Sequence, residues 1–284
     1  MKFFPKIFFA RRSRYKDLKV FHCLLYKISF CIFLFLTFYS PIYSESQLGA
    51  KAYVLGNLET GKILFQKNKD SHYPIASIAK LPAALALENE FSDSEYILVP
   101  DKKLYKYEIE SRAGIEVGEE YKYNDLLYGL LLPSGNDVAR VLDWKLEDRN
   151  KKFTEIAKNW TKKNGLSHTV LEEPIGLSSN TVSTSNELWK ILLITYNHKK
   201  IYNILQTTEK EFFSKKGKSV KVFTRNKILE HKGFLIRGKT GTTKKAGECF
   251  VGFLQKDKKI YGIVLLGAKN INQEIPKAVK LLEN

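Results

Sequence analysis

The sequence predicts a mixed α/β fold of the α+β kind: one antiparallel sheet built from both ends of the chain, flanked by helices, with a helical lobe inserted. Three observations predict it. Short strand-like runs occur near residue 55 and again beyond residue 234. The region between carries apolar residues at helical spacing. No repeat, low-complexity stretch or Pro/Ser linker divides the chain after residue 46.

The elements follow in order. Residues 1–44 carry eight Lys/Arg and one Asp, and Ile28–Tyr39 runs twelve residues without a charge before Pro41. A basic start, a short apolar stretch and small polar residues such as Ser44 and Ser46 form the layout of a secretory signal. Twelve residues fall short of the ~20 that span a bilayer as a helix. Residues 1–46 are therefore expected to be a signal peptide or an N-terminal membrane anchor, and 47–284 one folded domain outside the cytoplasm. Residues 50–57 and 61–66 read as two strands joined by a turn at Gly61. Helical periodicity covers 77–90, 123–132, 136–148, 151–164 and 185–204, with Gly, Asn and Asp between. Phe234–Lys239 predicts a further strand, and Cys249–Leu254 with Ile260–Gly267 a hairpin turning at 256–259. Ile275, Val279 and Leu282 predict a terminal helix lying on the sheet. A crevice between sheet and helical lobe is the natural place for a site.

Composition removes several functions. The chain has 47 Lys/Arg against 30 Asp/Glu, a net charge of +17, of which +7 lies in the first 44 residues. Lys outnumbers Arg 39 to 8. Base readout and bidentate phosphate recognition favour Arg, and no basic motif is present, so no nucleic-acid partner is expected. Cys23 and Cys31 lie in the leader, which leaves Cys249 alone in the body with no internal disulfide to form. In its run with Phe250 and Val251, Cys249 reads as a small buried hydrophobe. The five histidines (22, 72, 168, 198 and 231) have no metal-ligand spacing. There is no Walker loop, dinucleotide fingerprint, His-Glu-x-x-His pair or Gly-x-Ser-x-Gly elbow. Neither metal nor cofactor is expected, and a hydrolase here needs a base other than histidine.

Ser77-Ile78-Ala79-Lys80, placed by periodicity at the start of a helix, offers one. Backbone N–H groups and the positive dipole end at a helix N-terminus favour an oxyanion. A Lys three residues on lies one turn along the same face. Apolar neighbours and other cations lower a lysine's pKa and make it a usable base. The tetrapeptide alone is weak, since Ser13–Lys16 also matches it. Ser134-Gly135-Asn136 alone is an ordinary turn and N-cap. Lys239-Thr240-Gly241-Thr242 alone is a strand end with a polar turn. Together, in that order and spaced 57 and 105 residues apart, they form the three-box signature of penicillin-interacting serine enzymes.

From about Ala52 to Lys269 the chain resembles the serine-type D-alanyl-D-alanine carboxypeptidases, the low-molecular-mass penicillin-binding proteins. The resemblance also rests on Glu59–Leu64, Leu126–Asp137, Pro174–Leu177 and Ala246-Gly247. It implies a β-lactamase/DD-peptidase-like fold and peptidoglycan stem peptides as substrate, with β-lactams as inhibitors. It implies that Ser77 attacks the carbonyl between the terminal D-alanines while Lys80 takes its proton. Ser134 and Asn136 relay the proton and hold the substrate amide. Lys239, Thr240 and Thr242 meet the terminal carboxylate, with Arg225 as a further candidate. Gly241 stands between those threonines, and the N–H groups of Ser77 and Thr242 form the oxyanion hole. The 45 residues after Lys239 leave no room for the C-terminal β-rich domain of many relatives, so membrane contact would run through the N-terminal segment alone. Glu173 departs from the family pattern, which has Asn before Pro174. Two rivals share the boxes: a class A-like β-lactamase, with Glu172 at roughly the right distance for a deacylating carboxylate, and a sensor that acylates without turnover.

Overall fold

The computed structural model describes residues 48–104 and 111–283; the leader, Cys23 and Cys31 lie outside the described residues. Among the described residues twelve strands follow in chain order. They are β1 (Ala52–Asn57), β2 (Ile63–Lys67), β3 (Tyr73–Pro74), β4 (Tyr96–Leu98), β5 (Glu120–Lys122) and β6 (Val182–Ser183). The second half adds β7 (Glu209–Phe213), β8 (Ser219–Phe223), β9 (Glu230–His231), β10 (Phe234–Thr243), β11 (Gly247–Lys256) and β12 (Lys259–Ala268). The described residues also form seven α-helices, α1 (Lys80–Leu87), α2 (Tyr123–Leu131), α3 (Asn136–Asp148), α4 (Phe153–Lys163), α5 (Ser185–Asn197), α6 (Lys199–Gln206) and α7 (Ile271–Glu283). A 3-10 turn, Ala76–Ala79, leads into α1.

The main sheet has the order β2-β1-β12-β11-β10-β9, and each neighbouring pair is antiparallel. Strand β1 closes on β12, with Val54 opposite Val264, so both ends of the chain build one sheet, as expected. The sheet is covered on both faces, and its side chains sort by the two-residue period of a strand. Ala52, Val54, Val251, Phe253, Val264 and Leu266 face the helical lobe. Tyr53, Leu55, Phe250, Leu254, Ile263 and Leu265 face the other way, where Ile275, Ala278 and Val279 of α7 cover them. Each Val, Leu, Ile or Phe among them contributes about 1.5–3 kcal/mol when fully buried. Burial on both faces is why these strands read as continuous apolar runs.

Helix α5 seats the lobe on the sheet. Gly56 and Gly262 are opposite each other in the register, and a Cβ on either would lie within 3.0 Å of the Trp189 ring. The paired glycines leave the room that Trp189 fills.

Four expectations change. The segment read as a helix over 77–90 is a 3-10 turn followed by an α-helix that ends at Leu87. Its entry residue Ala76 has φ +49°, which regular helix does not allow. The single helix expected over 185–204 is two, α5 and α6, broken at His198 with ψ +86°. The strand expected to stop at Lys239 runs on to Thr243, because its partner β11 pairs with it residue for residue to Gly247. Five short strands and the β7–β8 hairpin lie where the pattern reading placed no element.

Candidate active site

Three elements meet at one small cleft. The 3-10 turn brings Ser77, the loop before α3 brings Ser134 and Asn136, and β10 brings Lys239 to Thr242. The turn lies against β10 so tightly that a Cβ on Gly241 would stand 2.9 Å from the backbone nitrogens of both Ser77 and Ile78. Strand β9 pairs only with Phe234 and Leu235, so the β10 edge beyond them faces the turn. The cleft, about 100 Å³, is lined by Ser77, Ser111, Ser134, Arg225, Thr240, Gly241 and Thr242. A larger and mainly apolar groove of about 670 Å³ lies along α4 and residues 165–172. It holds none of the three boxes, whereas the smaller cleft is lined by residues of all three.

Lys80 is fully buried. Its Nζ lies 3.2 Å from Ser77 Oγ, 2.8 Å from Asn136 Oδ1 and 2.5 Å from the Ile175 carbonyl. An ammonium donates to all three. A neutral amine has two N–H bonds and one lone pair. With Asn136 Oδ1 and the Ile175 carbonyl taking the N–H bonds, the lone pair is left for the Ser77 hydroxyl. That is the arrangement of a general base against its nucleophile.

Lys239 is buried too, and donates to Ser134 Oγ at 2.8 Å and to the Thr240 carbonyl at 2.7 Å. Burial, then the charges of Lys80 and Arg225, hold its pKa well below the usual lysine range. Ser134 is held at φ +64°, a conformation that costs a non-glycine residue about 1–3 kcal/mol and persists only where the surroundings impose it. Part of that surrounding is Asp137. Its buried carboxylate accepts the N–H groups of Ala113 and Gly114 at 2.9–3.0 Å, while the Asn136 N–H donates to the Ser111 carbonyl at 2.8 Å. These bonds bind segment 111–114 to the start of α3 and place Ser111 on the cleft wall.

All nine residues expected at the site are thus placed around one cleft, with Lys80, Asn136 and Lys239 behind the lining. Sequence reasoning missed Ser111 and the Ile175 carbonyl, although the loop that carries Ile175 is among the segments that resemble the family. A lone Ser in a loop and a main-chain oxygen leave no pattern to read. Among the described residues no group of three His, Cys, Asp or Glu side chains is placed to hold a metal. Cys249 is fully buried and unreactive by environment, its thiol pushed up to about 11 chiefly by burial.

A half-buried serine 3.2 Å from a buried lysine, at the junction of an antiparallel sheet and a helical lobe, is an arrangement suited to serine hydrolase chemistry. The chain belongs to the D-alanyl-D-alanine carboxypeptidase family, whose profile matches residues 40–270. It is 26% identical over 228 residues to a D-alanyl-D-alanine endopeptidase of Pseudomonas aeruginosa, covering 79% of this chain and 73% of that one. A D-alanyl-D-alanine carboxypeptidase of Bacillus subtilis is 24% identical over 245 residues, covering 84% of this chain and 63% of its own. In fold, the Streptomyces K15 DD-transpeptidase is similar with a TM-score of 0.75 at 22% identity, over 84% of this chain and 98% of that one.

Proposed function

We propose that the chain is a serine D-alanyl-D-alanine carboxypeptidase that trims peptidoglycan stem pentapeptides through an acyl-enzyme on Ser77. The observation that carries this reading is the contact of Lys80 Nζ with Ser77 Oγ, with Asn136 and Ile175 taking the amine's other bonds. Ser77 Oγ attacks the penultimate D-alanine carbonyl and its proton passes to Lys80 Nζ. The oxyanion forms beside the N–H groups of Ser77 and Thr242. Collapse breaks the C–N bond, and the departing D-alanine amine takes its proton through Ser134. Water then hydrolyses the Ser77 ester. The terminal carboxylate is met by Lys239, the Thr240 and Thr242 hydroxyls and Arg225. A β-lactam, whose strained amide ends in a carboxylate, acylates Ser77 by the same steps.

The β-lactamase reading is disfavoured by where the glutamates go. Glu172 is exposed and takes hydrogen bonds from Ser178 and Asn180, which hold its carboxyl below the usual range. Glu173 is committed to backbone amides. Neither lines the cleft. We also propose that residues 1–46 export the domain or anchor it to the membrane, which places it on the cell-wall side; no helix among the described residues is long and apolar enough to span a bilayer.

The test is release of D-alanine from a pentapeptide ending in D-Ala-D-Ala, run beside nitrocefin hydrolysis and fluorescent-penicillin labelling. The proposal expects release and labelling, and loss of both by at least about 1000-fold in Ser77→Ala. Rapid nitrocefin hydrolysis without D-alanine release would favour the β-lactamase. Stable labelling with neither activity would favour the sensor.

A further inference from the structure

We infer that Glu173 is a positioning residue for the Lys80 base, acting through the loop that follows it; the inference rests on the reading of Ser77 and Lys80 above. The Glu173 carboxylate collects four consecutive backbone N–H groups. Ile175 and Gly176 donate at 2.9 Å, Leu177 at 2.7 Å and Ser178 at 2.9 Å. Convergent amides on one anion make a concave nest, and hydrogen bonds to an ionised acceptor are roughly twice as strong as neutral ones. Here the anion is the chain's own, one residue before the loop.

The nest sets the direction of two contacts. It folds the loop so that the Ile175 carbonyl points at Lys80 Nζ, 2.5 Å away. It also presses Gly176, at φ +85°, onto the nucleophile's turn, where a Cβ would stand 2.1 Å from the Ala76 carbonyl oxygen. One loop therefore bears on both the base and the turn that carries Ser77. Glu173 does not line the cleft, so it acts through Ile175 and not on the substrate. An Asn at this position, one methylene shorter and with a single acceptor oxygen, cannot gather the same four amides.

The experiment compares the full-length wild type with Glu173→Gln and Glu173→Ala. The readouts are the limiting rate and half-saturating concentration of acylation by fluorescent penicillin, thermal midpoints, and amide exchange at residues 175–178. Misplacement by a fraction of an ångström away from the chemistry costs rate and not binding. The limiting rate is expected to fall about 10-fold in the Gln variant and about 100-fold in the Ala variant, with half-saturation within about threefold of wild type. Amide protection is expected to drop at 175–178 alone, with the midpoint of the Gln variant within a few degrees of wild type. Limiting rates within twofold of wild type overturn the inference, as does a loss carried by half-saturation or one that tracks a collapse in thermal midpoint. If the Ala variant does not fold, the Gln variant decides. Failure of the wild type to acylate sinks the Ser77 reading instead. The exchange data then decide for Glu173, and unchanged protection at 175–178 overturns its part.

Discussion

At the scale of single residues, the site is held together by two lysines that water would prefer to keep. A buried lysine is costly unless its hydrogens are accepted, and both find acceptors here: Lys80 on Asn136 and Ile175, Lys239 on Ser134 and Thr240. The glycine between the two threonines of the third box has a different task. Gly241 has ordinary φ, so its lack of a side chain serves close approach and not backbone freedom. Gly241→Ala places a methyl 2.9 Å from the nitrogens of Ser77 and Ile78 and must part the strand from the turn. We expect acylation by penicillin to fall about 100-fold or more, with the thermal midpoint lowered only by a few degrees. Full acylation in this variant would show that the turn and β10 need not touch. The residue types of the three boxes were legible in the sequence, because Ser-x-x-Lys, Ser-x-Asn and Lys-Thr-Gly in that order and spacing match a known signature. What was not legible is why Gly241 is glycine. That depends on the approach of two segments some 160 residues apart.

At the scale of elements, periodicity found helices α2, α3 and α4 nearly to their ends, because their apolar stripes face one continuous core. It merged the 3-10 turn with α1 and α5 with α6, because the apolar spacing runs on through both junctions. The break between α5 and α6 is set by the backbone at His198, with ψ +86°, and the entry to the 3-10 turn by Ala76 at φ +49°; spacing encodes neither. The short strands β3 and β6 pair with each other across 108 residues, so no local pattern announces them. Helix α3, which opens on Asn136, also carries an electrostatic load. Asp143 is half-buried, with its carboxyl pushed up to about 6 by burial, then by the charges of Glu147 and Glu173. A carboxyl with a folded-state pKa above its unfolded value favours the fold while protonated. That contribution is fully present below about pH 4 and is lost as pH rises through about 6. Asp143→Asn should therefore leave stability unchanged at pH 4 and raise it by about 1 kcal/mol at pH 7.5, after allowance for solvent screening. Denaturant melts at the two pH values check this, and an equal gain at both would remove ionisation as the cause.

At the scale of the whole molecule, seven of the +17 charges fall in residues 1–44 and ten in the rest of the chain. Among the described residues, cohesion comes from two apolar layers on either side of the sheet, and the cysteine there is free and buried. Most of the ion pairs found there leave the cation a third or more exposed. Exposed pairs contribute only about 0–1 kcal/mol each, so the lysine excess is not there to hold the fold. A lysine-rich surface instead attracts polyanions over a Debye length of about 10 Å at 0.1 M salt. If the domain works against the anionic polymers of a cell wall, its charge and its cleft should separate in one experiment. Retention of the full chain on cell-wall preparations should fall about tenfold or more between 0.05 and 0.5 M NaCl. Release of D-alanine from a small soluble pentapeptide should change less than threefold over the same range, because the buried lysines at the cleft are screened far less. Retention indifferent to salt would assign the surface charge no role at the wall, while activity that fell in parallel would mean that surface and cleft act on the substrate together.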